Sequence, residues 1–382
     1  MIKTKITGRQ LFSLTAGGSL GGSVLIIAAL MASIAKQDAW IGSIVTVITG
    51  LPVIWVYVFL GSRFPNMNYI EIIRTVLGKW LGSVVAASTI LFYIQGSSHV
   101  PWHVGDFITS QVMPETPAYV VNALFITAIA VAALYGLEAF ARATEIFLII
   151  STIMFIFAMV LVLPNAKIEN LQPVLENGFL PVLKSSVFLS CFITYPLITI
   201  MMIYPVGIDN LREAKKSIFT GYFWAGSISF LAILMSILVL GWPITANTRY
   251  PAFRLAKEID VGIIFSRIEF IVFVSWILTQ FIINTLFFYA GITGLSQLLK
   301  LKNHKILVIP AAFLALIFSG IVFPDVIYQE NWIAFGWVPY IITHSFIFPV
   351  LILVVYLVKR VIEKHSVNNG KKSKENRNTD IV

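Results

Sequence analysis

The chain has 382 residues, 58% hydrophobic and only 12% charged, against about 45–50% and about 25% in soluble domains. That balance excludes a soluble globular domain and describes a polytopic membrane protein. The net charge of +9 lies in short Lys/Arg clusters between apolar runs, a topology signal rather than a nucleic-acid-binding stripe.

Ten apolar runs of about 18 or more residues follow one another near 10–34, 40–61, 80–108, 118–139, 143–163, 182–205, 216–241, 264–296, 305–323 and 337–358. With the N-terminus cytoplasmic, 20 of the 27 Lys and Arg fall in inner segments, so both termini are expected in the cytoplasm. The first run carries Gly17, Gly18, Ser19, Gly21, Gly22 and Ser23. Four glycines in a helix interior forfeit about 4 kcal/mol of helix preference. Two readings account for them. A broken helix offers backbone amides to an anionic ligand group, with Ser19 and Ser23 on the rim; alternatively, Gly17/Gly21 and Gly18/Gly22 are GxxxG pairs that let a neighbouring helix approach.

Between the spans, Met67 to Leu77 places Ile70, Ile73 and Leu77 on one helical face opposite Glu71 and Arg74, predicting a short amphipathic helix. Tyr250 to Ile259 predicts another on the outer side, with Pro251 at its start. The transmembrane domain is expected over 1–358, with repeats near 8–163 and 181–358, and the polar stretch 359–382 as a disordered basic tail.

Five spans per half put the second half in the membrane in the opposite sense. An inverted repeat of this kind predicts that span six, like span one, is broken at mid-depth. It contains Cys191, Thr194, Tyr195 and Pro196. Pro196 lacks an N–H and clashes with the carbonyl of Phe192, so that turn must open; a simple proline kink is the plainer alternative. Polar residues at lipid depth usually face inward. Span three contributes Tyr93, whereas His99 and His103, beside Trp102, are expected as interface anchors. Span eight contributes Gln280, Asn284, Thr285 and Tyr289, either as a cavity face or as interhelical hydrogen bonds. Arg142 is the expected partner of Glu145. The single cysteine, Cys191, excludes an internal disulfide, and no CxxC or His/Cys cluster is present; no metal or cofactor is expected. With no Walker loop, nucleophile elbow or catalytic dyad, neither is an enzyme.

The stretches ITGRQLFSLTAGGSLGGSVLI, NMNYIEIIRTVLGKWLG and RYPAFRLAKEID together resemble the B subunit of spore-germination nutrient receptors, a branch of the amino acid/polyamine/organocation permease superfamily. The resemblance implies an all-α, leucine-transporter-like fold of about ten transmembrane helices in a 5+5 inverted repeat, with helices 1 and 6 broken. It further implies the inner membrane of bacterial spores, assembly with an A subunit and a lipoprotein C subunit, and recognition of a small germinant such as an amino acid. By the same resemblance, the break at Gly17 to Ser23 receives the ligand carboxylate and the opening from Cys191 to Pro196 presents carbonyls to its amino group. Active permeases usually open the sixth helix with small residues and glycine; Thr194-Tyr195-Pro196 departs from that, which weighs against continuous transport more than against binding. A secondary amino acid transporter and a ligand-gated ion or water conduit remain the alternatives.

Overall fold

Thr7 starts the first helix by exchanging hydrogen bonds with Gln10: its hydroxyl accepts from the Gln10 amide at 3.2 Å, and the Gln10 side chain accepts from the Thr7 amide at 3.0 Å. This reciprocal cap satisfies two of the amides that a helix start leaves unpaired. The computed structural model describes residues 6–22, 24–208, 210–258 and 268–379, with side chains to residue 363. Among the described residues every regular element is helical. Ser23 and Arg267 lie outside them.

Span one is split into α1 (Gly8–Leu20) and α2 (Ile27–Ala35), and α3 (Ala39–Arg63) returns beside it. The expected amphipathic helix is α4 (Tyr69–Leu77), capped by Asn68 and Glu71 in the same reciprocal way, with Ile70 and Ile73 buried. Spans three to five are α5 (Lys79–Gln111), α6 (Ala118–Tyr135) and α7 (Leu137–Val162). Gly78 and Gly136 have φ of +83° and +94°, which a side chain would resist. Each therefore turns the chain directly from one helix into the next, and span five begins at Leu137 rather than at 143.

The second half opens with α8 (Phe179–Ile193), followed by a 3₁₀ segment, Tyr195–Met202. Spans seven to nine are α9 (Leu211–Asn247), α11 (Glu269–Leu298) and α12 (Val308–Ile321), with the expected short helix α10 (Pro251–Lys257) between the first two. Span ten starts at α13 (Val326–Asn331), earlier than the apolar run suggests, and passes through α14 (Val338–Ile342) into α15 (Phe348–Thr379). π-Helical turns at Trp332–Trp337 and Thr343–Ile347 separate these pieces. The polar triplet Gln329-Glu330-Asn331 hides this start from a hydropathy count.

Nine continuous helical runs among the described residues are long and apolar enough to cross a membrane. The remaining span is the split first one, whose 13-residue α1 is too short by itself. Span six has 78% of its apolar window buried and span nine 17%, so the former is central and the latter peripheral. α1 packs against α9, α11 and α7, while α8 packs against α3 and α2. Glu145 does not pair with Arg142: it meets Arg9 at 3.3 Å, and Arg142 pairs with Glu138 one helical turn away. The i,i+4 spacing favours the latter pair and leaves Glu145 to the start of α1.

Candidate functional site

The two interrupted spans meet where each stops being an α-helix. α1 ends at Leu20 and α8 at Ile193, and the hydroxyl of Ser19 donates to the Ile193 carbonyl at 2.8 Å. A carbonyl released by the sixth-span break is thereby satisfied from the first. The hydroxyl of Tyr93 donates to the carbonyl of Ile198 at 3.3 Å. Thr194 shares a 2.9 Å hydrogen bond with the Tyr222 hydroxyl, which lies 3.2 Å from the Thr46 carbonyl. These contacts tie the 3₁₀ segment to α3, α5 and α9.

The glycines divide by position. A methyl group on Gly17 would come within 2.6 Å of Ile282, on Gly18 within 2.8 Å of Leu286, and on Gly21 within 2.6 Å of the Thr279 carbonyl. All three sit where α11 approaches α1, as the GxxxG spacing requires. Gly22 differs: a methyl there would meet only Phe192, at 3.1 Å.

Beside Gly22 lies a cavity of about 70 Å³. Gly22 and Ile26 contribute from span one, and Cys191, Phe192 and Pro196 from span six. Gly96, His99, Val100 and His103 line it from α5, and Gln280, Ile283 and Phe287 from α11. Phe323 and the span-ten residues Trp332, Ile333 and Trp337 close it. The wall is apolar and aromatic with few polar groups, the usual character of a small-molecule site. Gln280 is 2% exposed and its Oε1 has no hydrogen-bond partner among the described residues; Asn284, one turn along, is 1% exposed with neither side-chain polar atom paired among them. Leaving such an atom unpaired costs about 1–3 kcal/mol, which a ligand or water at Gln280 would relieve.

A larger, vestibule-like space of about 360 Å³ adjoins the cavity and shares Ile26, His103, Phe192 and Ile333 with it. Arg249 lies there, 2.6 Å from Asp106, and the Tyr250 hydroxyl donates to the same carboxylate oxygen at 2.5 Å. Burial and then the Asp106 charge push the Tyr250 phenol above its ordinary value. The central cavity is well below the roughly 300 Å³ of a small-molecule site. The centre is therefore narrow, and four side chains are shared between it and the vestibule.

Of the residues singled out from sequence, Gly22, Cys191, Pro196 and Gln280 come together at this cavity. Asn284 is buried beside it. Tyr93, Ser19 and Thr194 brace the breaks instead, and Thr285 bonds the Phe281 carbonyl of its own helix. Tyr195 is half-buried, and Tyr289 packs edge-on against His304, 5.7 Å away. His99 and His103 are not interface anchors: both line the cavity, with His99 4.9 Å from the Phe323 ring and 5.7 Å from that of Trp337. Their i,i+4 spacing with Gln95, all on one face of α5, was the available signal.

Two broken spans that meet at a small central cavity belong to a protein of the leucine-transporter fold class, built as a 5+5 inverted repeat. Among solved structures, MhsT in complex with L-phenylalanine superposes with a TM-score of 0.63 at 14% identity, covering 94% of this chain and 99% of that one. Mhp1, a nucleobase-cation-symport-1 family transporter in a closed conformation with bromovinylhydantoin bound, gives 0.61 at 14% identity, over 90% and 78%. The chain belongs to the spore germination protein family, whose model matches residues 5–325. Spore germination protein KB of Bacillus subtilis (strain 168) is 28% identical over 84% of this chain and 85% of its own length. YndE of the same organism is 25% identical over 70% and 73%, and spore germination protein A2 is 23% identical over 94% and 97%.

Proposed function

We propose that the protein is the membrane-embedded subunit of a spore nutrient-germinant receptor, binding a small germinant such as an amino acid in the central cavity and triggering germination by rearrangement of the bundle. The observation that carries this reading is the buried Oε1 of Gln280, unpartnered among the described residues, in a mostly apolar cavity where the two broken spans meet. Such a group fixes the orientation of a ligand held mainly by apolar contact. The spore inner membrane, an A subunit and a lipoprotein C subunit complete the reading through the family. The Lys/Arg distribution supports a cytoplasmic position for both termini in this reading.

A panel of the twenty amino acids in a thermal-shift assay on the purified chain tests it. A ligand that binds only the folded state raises Tm by mass action, by about 2.7 kcal/mol of stability at 100 times Kd. At least one is expected to do so for the parent and to lose the effect in Gln280→Leu; equal shifts in both proteins would contradict the assignment. Secondary transport is the second reading, favoured by the likeness to a fold neighbour solved with L-phenylalanine. Ion-driven accumulation of the same amino acid in reconstituted vesicles would select it.

A further inference from the structure

A second cavity lies at the end of the bundle where the N-terminus emerges, on the outer face of the pair α3 and α9. It encloses about 430 Å³ and is lined by Trp55, Val58, Phe59, Ser62 and Arg63 from α3 and by Leu211, Lys215 and Phe219 from α9. Each wall combines at least one aromatic side chain with one cation. On α3, Trp55, Phe59 and Arg63 follow at i, i+4 and i+8: the Trp55 and Phe59 rings stack at 5.2 Å, and the Arg63 guanidinium lies 5.1 Å from the Phe59 ring. On α9, Phe219, Lys215 and Leu211 repeat the spacing in the reverse chain direction. The aromatic rings therefore lie toward the membrane interior and both cations toward the rim.

None of the lining residues is acidic. Among the described residues neither Arg63 nor Lys215 forms an ion pair. The carboxylate of Glu213, in the first turn of α9, packs against Gly8 on α1 instead. Trp55 is 51% exposed, so the aromatic floor opens outward. Two cations without an ion-pair partner among the described residues, above an open apolar groove, match an amphiphile with an anionic head and an acyl chain.

We infer that this groove is a binding site for an anionic phospholipid, with the headgroup phosphate held between Arg63 and Lys215 and an acyl chain along Phe59, Trp55 and Phe219. The site bears on the helix breaks. Ser62 lies in the groove wall, and its hydroxyl is 2.9 Å from that of Tyr204, two residues beyond the 3₁₀ segment of span six. A lipid in the groove packs the α3 face that holds this contact and so steadies the inner half of span six. The assignment stands independently of the proposed function.

Native mass spectrometry of the full chain in an uncharged detergent tests it, with short-chain phosphatidylglycerol, short-chain phosphatidylcholine and inorganic phosphate as probes. Phosphatidylglycerol is expected to leave a retained adduct, and phosphatidylcholine and inorganic phosphate none. Arg63→Gln with Lys215→Gln should weaken the adduct about 25-fold, at about fivefold per cation, while Tm in lipid-free detergent stays at the parent value. Lys300→Gln with Lys302→Gln, at the same end of the bundle, should leave the adduct intact. If the first pair does not yield folded protein, Lys215→Gln alone should weaken binding about fivefold. Adducts unchanged by these groove variants, weakened equally by the Lys300/Lys302 pair, or displaced by equimolar inorganic phosphate would each overturn the assignment.

Discussion

Span one is interrupted by glycine and held by close packing, whereas span six is interrupted by proline and held by hydrogen bonds. Gly17, Gly18 and Gly21 let α11 approach so closely that a single methyl group would collide with it. Around Pro196, by contrast, hydroxyls from Ser19, Tyr93 and Tyr222 engage Ile193, Ile198 and Thr194. A glycine break is tolerant in conformation but intolerant in volume; a proline break has a fixed φ and exposes polar groups that other helices must satisfy. Gly22 and Ile26 on one side, and Cys191, Phe192 and Pro196 on the other, bring the two breaks to the same cavity.

The largest effect is expected at Gly21. In Gly21→Ala the new methyl would lie 2.6 Å from a backbone carbonyl of α11, which cannot rotate away as a side-chain end can. A destabilisation toward the upper end of the roughly 1–3 kcal/mol of overpacking should appear as a lower Tm and a reduced yield of monodisperse protein. Parent-like yield would mean that the helix approach is looser than the structure shows.

On the other side of the comparison, Thr194→Val removes a hydroxyl while preserving shape, at a cost of about 1 kcal/mol. Combined with Tyr222→Phe in a double-mutant cycle, it should show a coupling of about 0.5–1.5 kcal/mol. Additive losses would remove this bond from the bracing of span six. Tyr93→Phe should cost less, about 0.5 kcal/mol, because its 3.3 Å bond is long; a shift in Tm larger than that of Thr194→Val would invert the order.

The smallest effect on stability is expected for Gly22→Ala, whose methyl meets only the movable Phe192 ring. Abundance and Tm should stay near the parent, while the concentration dependence of the nutrient response changes. Reduced abundance with an unchanged concentration dependence would instead place Gly22 with its three neighbours as a packing glycine.

Much of this arrangement was legible in the sequence. Glycines at 17, 18, 21 and 22 and Pro196 in the matching helix of the second half are local signals with strong backbone consequences, α4 carries clear periodicity, and α10 starts at a proline. Which glycines face a helix and which face a cavity was not legible, because that depends on the rotation of α1 against α11. His99 and His103 were misplaced for a related reason: near the end of a long span, depth does not distinguish an interface anchor from a cavity wall. Trp332 was missed because the polar residues 329–331 conceal where span ten begins, and Trp337 because it stood at the expected edge of that span. Glu145 was matched to a sequence neighbour, whereas Arg9 is distant in sequence and close in space.

Cys191, the one cysteine in the chain and part of the cavity wall, offers the most direct measurement of whether this cavity holds the ligand. Its alkylation by a small membrane-permeant maleimide can be followed in the parent protein, without introducing any residue, in the presence of each of the twenty amino acids. An amino acid which raises Tm is expected also to slow alkylation of Cys191, and Gln280→Leu to abolish both effects together. An amino acid that stabilises the protein while leaving the alkylation rate unchanged would place its site elsewhere and contradict the account.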